Sequence, residues 1–282
     1  AYTGEVIPQE QRQGILDRKL RIVGENAATE AEWFRWTLRA FQSAYGYEFQ
    51  GDNLLIARVN LLMTFEEALR ARWQRKPTAG EYRQIIRAIV WNVWQMDGLT
   101  GKIPYCNASA FHQVSLYEWL GSEAYQEHRD QQPHCRIADW RRKRSLEYLE
   151  VNKGGRNMKF DFVIGNPPYQ EETTGDNKGF APPIYNKFLD AAYQISDKVE
   201  MIHPARFLFN AGSTPKEWNQ KMLNDPHLKI LMFEQQSAKI FANTDIKGGV
   251  VITYRDSSKD FGKIEVFTAY EELNSLRMKA AA

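Results

Sequence analysis

The sequence predicts an α/β fold, a largely parallel β-sheet with helices packed on both faces. Short apolar runs rich in β-branched and aromatic residues read as buried strands. Amphipathic stretches with helical periodicity alternate with them, which is the order expected when crossover helices cover a parallel sheet. In such sheets ligands bind beyond the carboxyl ends of the strands, so the residues just after each apolar run are where chemistry is expected.

In chain order, helical patterns cover Gln11 to Val23 and Glu30 to Gln42. A strand follows at Ser43 to Phe49, whose sequence SAYGYEF carries Glu48 near its end. Helical patterns return at Asn53 to Trp73 and Thr78 to Arg87, and Ile89 to Met96 (IVWNVWQM) reads as a strand running into Asp97. The stretch from Tyr105 to Asn157 breaks this rhythm. It is rich in Arg, His, Gln and aromatic residues and reads as an insertion. Phe160 to Gly165 (FDFVIG) is the next strand, and Pro183 to Tyr193 the next helix. Lys198 to His203, Leu228 to Phe233 and Gly249 to Tyr254 close the series as strands.

Composition narrows the function classes. With 282 residues, 43% hydrophobic and 13% aromatic, the chain has ample material for a core and is not of disordered composition. No apolar run approaches the ~20 residues that span a bilayer, so no membrane association is expected. No secretory signal is visible in AYTGEVIPQEQRQ. The 2 cysteines are too few for a disulfide framework and fit a reducing compartment, so a cytoplasmic protein is expected. The formal charge of +2 argues against wholesale phosphate binding and leaves room for a local basic surface.

The most specific signal is Asn166-Pro167-Pro168-Tyr169, directly after FDFVIG. Two consecutive prolines hold an extended turn and remove two N–H donors, leaving outward carbonyls beside an amide side chain and an aromatic face. An exocyclic amine on a planar ring needs that set: two acceptors for its hydrogens and a ring to stack on. A plain strand-ending turn is the other reading. Glu48 at a strand end is placed to accept from a ribose diol, or is a solvated charge. Asp97 before Gly98 is equally read as a turn residue.

These residues resemble the γ-type adenine-specific DNA methyltransferases, in particular the Eco57I-like and TaqI-like branch of restriction-modification enzymes. Besides the Asn-Pro-Pro-Tyr motif, Gly4-Glu5-Val6-Ile7-Pro8 resembles the segment over the methionine end of the cofactor. Tyr45 to Glu48 and Gln95 to Leu99 resemble the strands whose acids hold the cofactor ribose and adenine. Pro183 to Phe188, His203-Pro204-Ala205-Arg206-Phe207 and Ile246 to Val250 resemble the elements that follow the catalytic loop. The resemblance covers roughly Thr3 to Tyr254.

It implies a Rossmann-like S-adenosylmethionine-dependent fold and methyl transfer to the N6 amine of an adenine flipped out of double-stranded DNA. Asn166, Pro167, Pro168 and Tyr169 would be catalytic, and Glu48, Asp97, Gly4, Val6, Pro8 and Asn166 would bind the cofactor. The run Trp140-Arg141-Arg142-Lys143-Arg144, together with Lys247, would meet DNA phosphates; a solvated helix face is the alternative for the run. A single catalytic domain over residues 1–282 is expected, with an insertion at about 105–157. A cognate restriction endonuclease or specificity region is the implied partner.

Two elements of the family pattern have no counterpart. The first strand and its glycine loop are not found before Gly14-Ile15-Leu16-Asp17, and the target-recognition region is expected to be mostly absent. Two other readings follow: a glutamine-amide or RNA-amine methyltransferase sharing the same motif, and a non-catalytic DNA-binding relative. Cys106, His112, His128, His134 and Cys135 cluster in the insertion without the paired spacing that structural zinc favours, so no metal is expected. His203 reads as packing at a strand end rather than as an acid–base group.

Overall fold

The computed structural model describes residues 7–8, 11–105, 133–152, 159–171, 181–242, 244–270 and 273. The chain divides into two compact units, residues 1–150 and 151–282.

The first unit is built on four helices, α1 (Ile15–Asn26), α2 (Glu30–Gln42), α3 (Gly51–Trp73) and α4 (Ala79–Asn92). Thr29 caps α2 by accepting from the Glu32 amide at 3.2 Å. At α4, Thr78 accepts from the Glu81 amide while Glu81 reaches back to the Thr78 amide, satisfying two otherwise orphaned donors. Arg75 grips the same Glu81 carboxylate through two nitrogens at 2.9 and 2.6 Å. That grip, first among its causes, holds the Glu81 carboxyl down to about 2.

The apolar faces of these helices close around Trp33, Phe65, Leu69 and Ile85, all essentially inaccessible to solvent. Strands β1 (Gly46–Glu48) and β2 (Val93–Gln95) pair in parallel, with Gly46 opposite Val93 and Glu48 opposite Gln95. Arg58 of α3 donates twice to the Val93 carbonyl, tying the helix to β2.

Helix α4 continues through Ile89-Val90-Trp91-Asn92, residues that the sequence assigns to a strand, and ends only at Asn92; the strand is confined to Val93–Gln95. The reason is packing: Ile85, Ala88, Ile89 and Asn92 recur on one helical face and are all buried. The expected insertion is described only at Tyr105 and over residues 133–152. The latter stretch forms an antiparallel hairpin, β3 (Arg136–Asp139) and β4 (Arg144–Glu147), followed by the short helix α5 (Tyr148–Asn152). The hairpin belongs to the first unit by hydrogen bonds. The Tyr45 hydroxyl donates to the Ala138 carbonyl at 2.7 Å, and the Trp140 indole donates to Asn92 at 2.7 Å.

The second unit holds a four-stranded mixed sheet in the order β5-β6-β8-β7, with β5 (Val163–Gly165), β6 (Lys198–Pro204), β7 (Leu228–Glu234) and β8 (Val250–Asp256). β5 and β6 are parallel; β8 runs antiparallel to both of its neighbours, β6 and β7. Helices α6 (Tyr185–Ile195) and α7 (Lys216–Leu223) bury Leu189, Ala192, Met222 and Leu223 with Val199, Leu228 and Val251 of the sheet. The chain is thus α/β, with mixed rather than uniformly parallel pairing. No helix among the described residues is long and apolar enough to cross a membrane.

Candidate active site

Each unit presents chemistry at the carboxyl ends of its parallel strands. In the first unit, Glu48 ends β1 and Asp97 stands two residues beyond β2, with the Met96 amide donating to the Glu48 carbonyl at 2.9 Å. Parallel pairing therefore brings both acids to one edge. Glu48 spends one carboxylate oxygen on the Gln50 amide at the start of α3. Asp97 spends one oxygen on the amides of Leu99 and Thr100, so it is a turn residue as well as an acid. The second oxygen of each has no hydrogen-bond partner among the described residues. Those free oxygens suit donors such as ribose hydroxyls or an adenine amine.

Pro8 is exposed, and its carbonyl accepts from the Gln11 amide. Gly4 and Val6 lie outside the described residues, as do Cys106, His112 and His128. Cys135 is buried, with its thiol directed at the Gln95 carbonyl at 3.3 Å and pushed up to about 12 by burial. Among the described residues its thiol ties the start of the hairpin to β2.

In the second unit one edge of the sheet gathers several motifs. Asn166 to Tyr169 leave β5 there, and Ala205-Arg206 leave β6. Lys247 to Gly249 enter β8 at the same edge, with the Gly249 carbonyl accepting from the Ala205 amide at 3.0 Å. Asn166 and Pro168 are exposed, Pro167 is buried and Tyr169 is partly buried. The Tyr169 carbonyl accepts from the Ile184 amide at 3.1 Å, and Glu171 bonds Pro182, so the loop is pinned to the start of α6. The Asn166 side chain and the Pro167 carbonyl have no partner among the described residues. The Tyr169 ring stands edge-on to Phe241 at 6.4 Å. Its hydroxyl is buried without a hydrogen-bond partner among the described residues, and burial pushes it up to about 12.

Beneath this edge lies an aromatic stack. His203 is fully buried, stacks on Tyr185 at 5.3 Å and leans on Phe207 at 5.4 Å. Its Nε2 meets the Thr253 hydroxyl at 2.9 Å and its Nδ1 the Pro204 carbonyl at 3.2 Å. Tyr185 and Phe207 both meet Trp218 edge-on. This packing fixes where β6 ends and where Arg206 emerges.

The model of the Eco57I restriction-modification methylase family matches residues 42–241, which takes in Glu48, Asp97, Asn166 to Tyr169 and Arg206. The chain belongs to that family. A protein of Mycoplasma pneumoniae described as an uncharacterized adenine-specific methylase is 31% identical over 105 residues, covering 36% of this chain. The match spans 24% of that relative's length. No solved structure matches the chain significantly. Membership in a restriction-modification methylase family implies S-adenosylmethionine as methyl donor. The two acids of the first unit fit the nucleoside half of that molecule. No glycine-rich turn among the described residues offers the methionine half a row of backbone amides.

The basic run is a turn rather than a helix face. Trp140 to Lys143 connect β3 to β4, with Lys143 at φ +52°. Asp139 accepts from the Arg142 amide and pairs with the Arg142 and Arg144 guanidinium groups at 3.8 and 3.6 Å. Trp140 packs against the core of the first unit, so it is not a free stacking platform. Arg141 and Lys143 are exposed. Lys247 is exposed in the turn before Gly248. The sequence pattern marks no role for Phe241, and Arg206 is marked only as part of the His203 to Phe207 motif.

Proposed function

We propose that this chain methylates the exocyclic N6 amine of an adenine flipped out of duplex DNA, within a Rossmann-like catalytic domain that carries an insertion at about 105–157. The observation that carries the reading is Asn166-Pro167-Pro168-Tyr169 at the carboxyl end of β5, with the Asn166 side chain and the Pro167 carbonyl both without partners among the described residues. A duplex base buries its amine in the stack, so extrusion precedes reaction. Tyr169 stacks on the extruded base. The Asn166 oxygen and the Pro167 carbonyl accept the two amine hydrogens, which draws the nitrogen towards tetrahedral geometry and concentrates its lone pair. Pro168 keeps the loop extended and contributes no competing donor.

S-adenosylmethionine, when bound, supplies the electrophilic methyl group. Glu48 and Asp97 would hold its ribose and adenine through their free oxygens, and the resemblance assigns Gly4, Val6 and Pro8 to its methionine end. The residues of this chain work by positioning and by fixed dipoles, with no covalent enzyme step. Arg141, Arg142, Lys143, Arg144 and Lys247 contact DNA phosphates; Arg142 and Arg144 do so with part of their charge already spent on Asp139. A cognate endonuclease or specificity region is the expected partner.

Calorimetric titration of S-adenosylmethionine, followed by transfer of a labelled methyl group to duplex DNA, tests the reading. Micromolar binding and labelling of adenine are expected, and Asn166→Ala should lose at least 100-fold in rate, on the order of 3 kcal/mol, with the fold unchanged. Undiminished transfer by that variant would refute the mechanism. Absence of cofactor binding would favour the non-catalytic alternative, and labelling of protein or RNA instead of DNA the amide or RNA-amine one.

A further inference from the structure

We propose that Arg206 is a DNA-phosphate contact beside the target base, its stem fixed by two glycines so that its guanidinium is presented at the edge that carries Asn166 and Tyr169. The proposal rests on the DNA-methylation reading and adds to it a residue that the motif alone does not assign.

Arg206 lies two residues past the end of β6, and Asn166 directly follows β5. These strands are parallel neighbours, so both residues leave the sheet on the same side. The aliphatic stem is closely held. A Cβ at Gly248 would fall 2.5 Å from Arg206 Cγ, and one at Gly212 would fall 3.3 Å from Arg206 Cβ. Both glycines adopt φ +89°, a conformation that side-chain-bearing residues rarely take. The absence of a side chain is therefore needed twice, for the backbone angle and for the approach to the arginine.

The head group has no acceptor committed to it, although its charge partly offsets the upward push of burial on the Tyr185 hydroxyl. Among the described residues the Arg206 guanidinium makes no hydrogen bond and no ion pair, and the residue is exposed. Several other arginines are spent on partners: Arg75 on Glu81, Arg255 on Asp225, Arg12 on Glu67, Arg58 on the Val93 carbonyl. A long cationic side chain normally loses rotamer freedom when it binds, and a stem already confined loses less. The planar fork matches an anion with two oxygens on one centre. Lys247, exposed and adjacent to Gly248, adds a second cation on the same edge, and Lys216 is committed to the Asn210 carbonyl. For an edge that handles a base, the anion in reach is the phosphodiester that flanks it, and contacts of this kind fix register without reading sequence.

The test is fluorescence anisotropy of the purified full chain with a labelled duplex carrying one adenine opposite an abasic site, measured across a salt series. Arg206→Ala is expected to weaken binding about tenfold at low salt and to make the logarithmic salt slope shallower by about 0.9. Gly248→Ala, which must push the arginine stem aside, is expected to weaken binding in the same direction. Lys198→Ala removes the same charge at the opposite end of β6 and is expected to leave affinity and slope unchanged. Circular dichroism of each variant separates misfolding from lost contact, and Arg206→Lys, which keeps the charge, is expected to recover most of the slope. Equal losses in Arg206→Ala and Lys198→Ala would overturn the proposal, as would an unchanged slope in Arg206→Ala or failure of the parent chain to bind the duplex. Weakened S-adenosylmethionine binding in Arg206→Ala with DNA binding intact would reassign the residue and overturn it too. The methyl-transfer reading stands or falls separately, on cofactor titration and on Asn166→Ala.

Discussion

Acidification should weaken the second unit through His203, and the size of the effect follows from its surroundings. The imidazole is fully buried between Tyr185 and Phe207. Burial is the leading cause that lowers it from 6.5 to about 4, and the Pro204 carbonyl only partly opposes this by favouring the protonated ring. In the folded chain the ring is neutral, donating from Nδ1 to Pro204 and accepting at Nε2 from Thr253. The unfolded chain takes up a proton below about 6.5, so stability from this group is present in full above that pH and is lost as pH falls towards about 4. At ~1.36 kcal/mol per pH unit, the full loss is about 3 kcal/mol, a large part of a typical domain's stability. Urea unfolding followed by circular dichroism, on the parent and on His203→Gln at pH values of about 7 and 4.5, measures it. The parent should lose stability relative to the variant by most of that amount. The His203 C2–H resonance should show no titration step above a pH of about 5. An equal pH dependence in both proteins, or a resonance titrating near 6.5, would refute the reasoning.

Two substitutions probe how the edges are held. Gly249→Ala places a Cβ 2.5 Å from the Glu234 carbonyl and 2.8 Å from Gln235 Cα at φ +81°. The backbone at the end of β7 cannot yield cheaply, and denaturant melts should show a loss on the order of 2–4 kcal/mol. In the first unit, Asn92 donates to the Phe41 and Ala44 carbonyls and accepts from the Trp140 indole. Asn92→Leu leaves all three without that partner and should cost on the order of 3 kcal/mol by the same measurement, with exposure of Trp140 visible as a red-shifted emission.

How much of this was legible in the sequence depended on whether local pattern or distant contact decided the outcome. Glu30 to Gln42 is helical over the residues its periodicity marks, because Thr29 caps it and Trp33, Thr37, Ala40 and Phe41 repeat on the buried face. Ile89 to Met96 is strand only over Val93–Gln95, because β-branched and aromatic residues suit a strand and equally suit one buried face of a helix; packing on the core extends α4 to Asn92. The β3–β4 hairpin was hidden in charged residues. Its four-residue strands carry Arg136, Asp139, Arg144 and Glu147, and what places them is Tyr45 and Asn92, far away in sequence. In the candidate site, Asn166 to Tyr169 announced itself because two prolines fix a geometry locally. Arg206 did not. The close hold on its stem depends on Gly248, which reaches it only once β6 and β8 pair.

The chemical characters of the two edges also differ in a way that bears on substrate. Glu48 and Asp97 each spend one oxygen on their own turn and keep the other, so the edge of the first unit offers acceptors. The edge of the second unit adds exposed cations, Arg206 and Lys247, to the acceptors Asn166 and Pro167. Acceptors alone suit a nucleoside with its hydroxyls and amine, whereas acceptors flanked by cations suit a base still attached to its phosphates. A free amide in a protein would need the acceptors and gain nothing from the cations. On the proposed function, the cations are what would distinguish a nucleic acid from a protein amide, and removing Arg206 should therefore erode that preference while Asn166, with Pro167 and Tyr169, governs whether the methyl group moves.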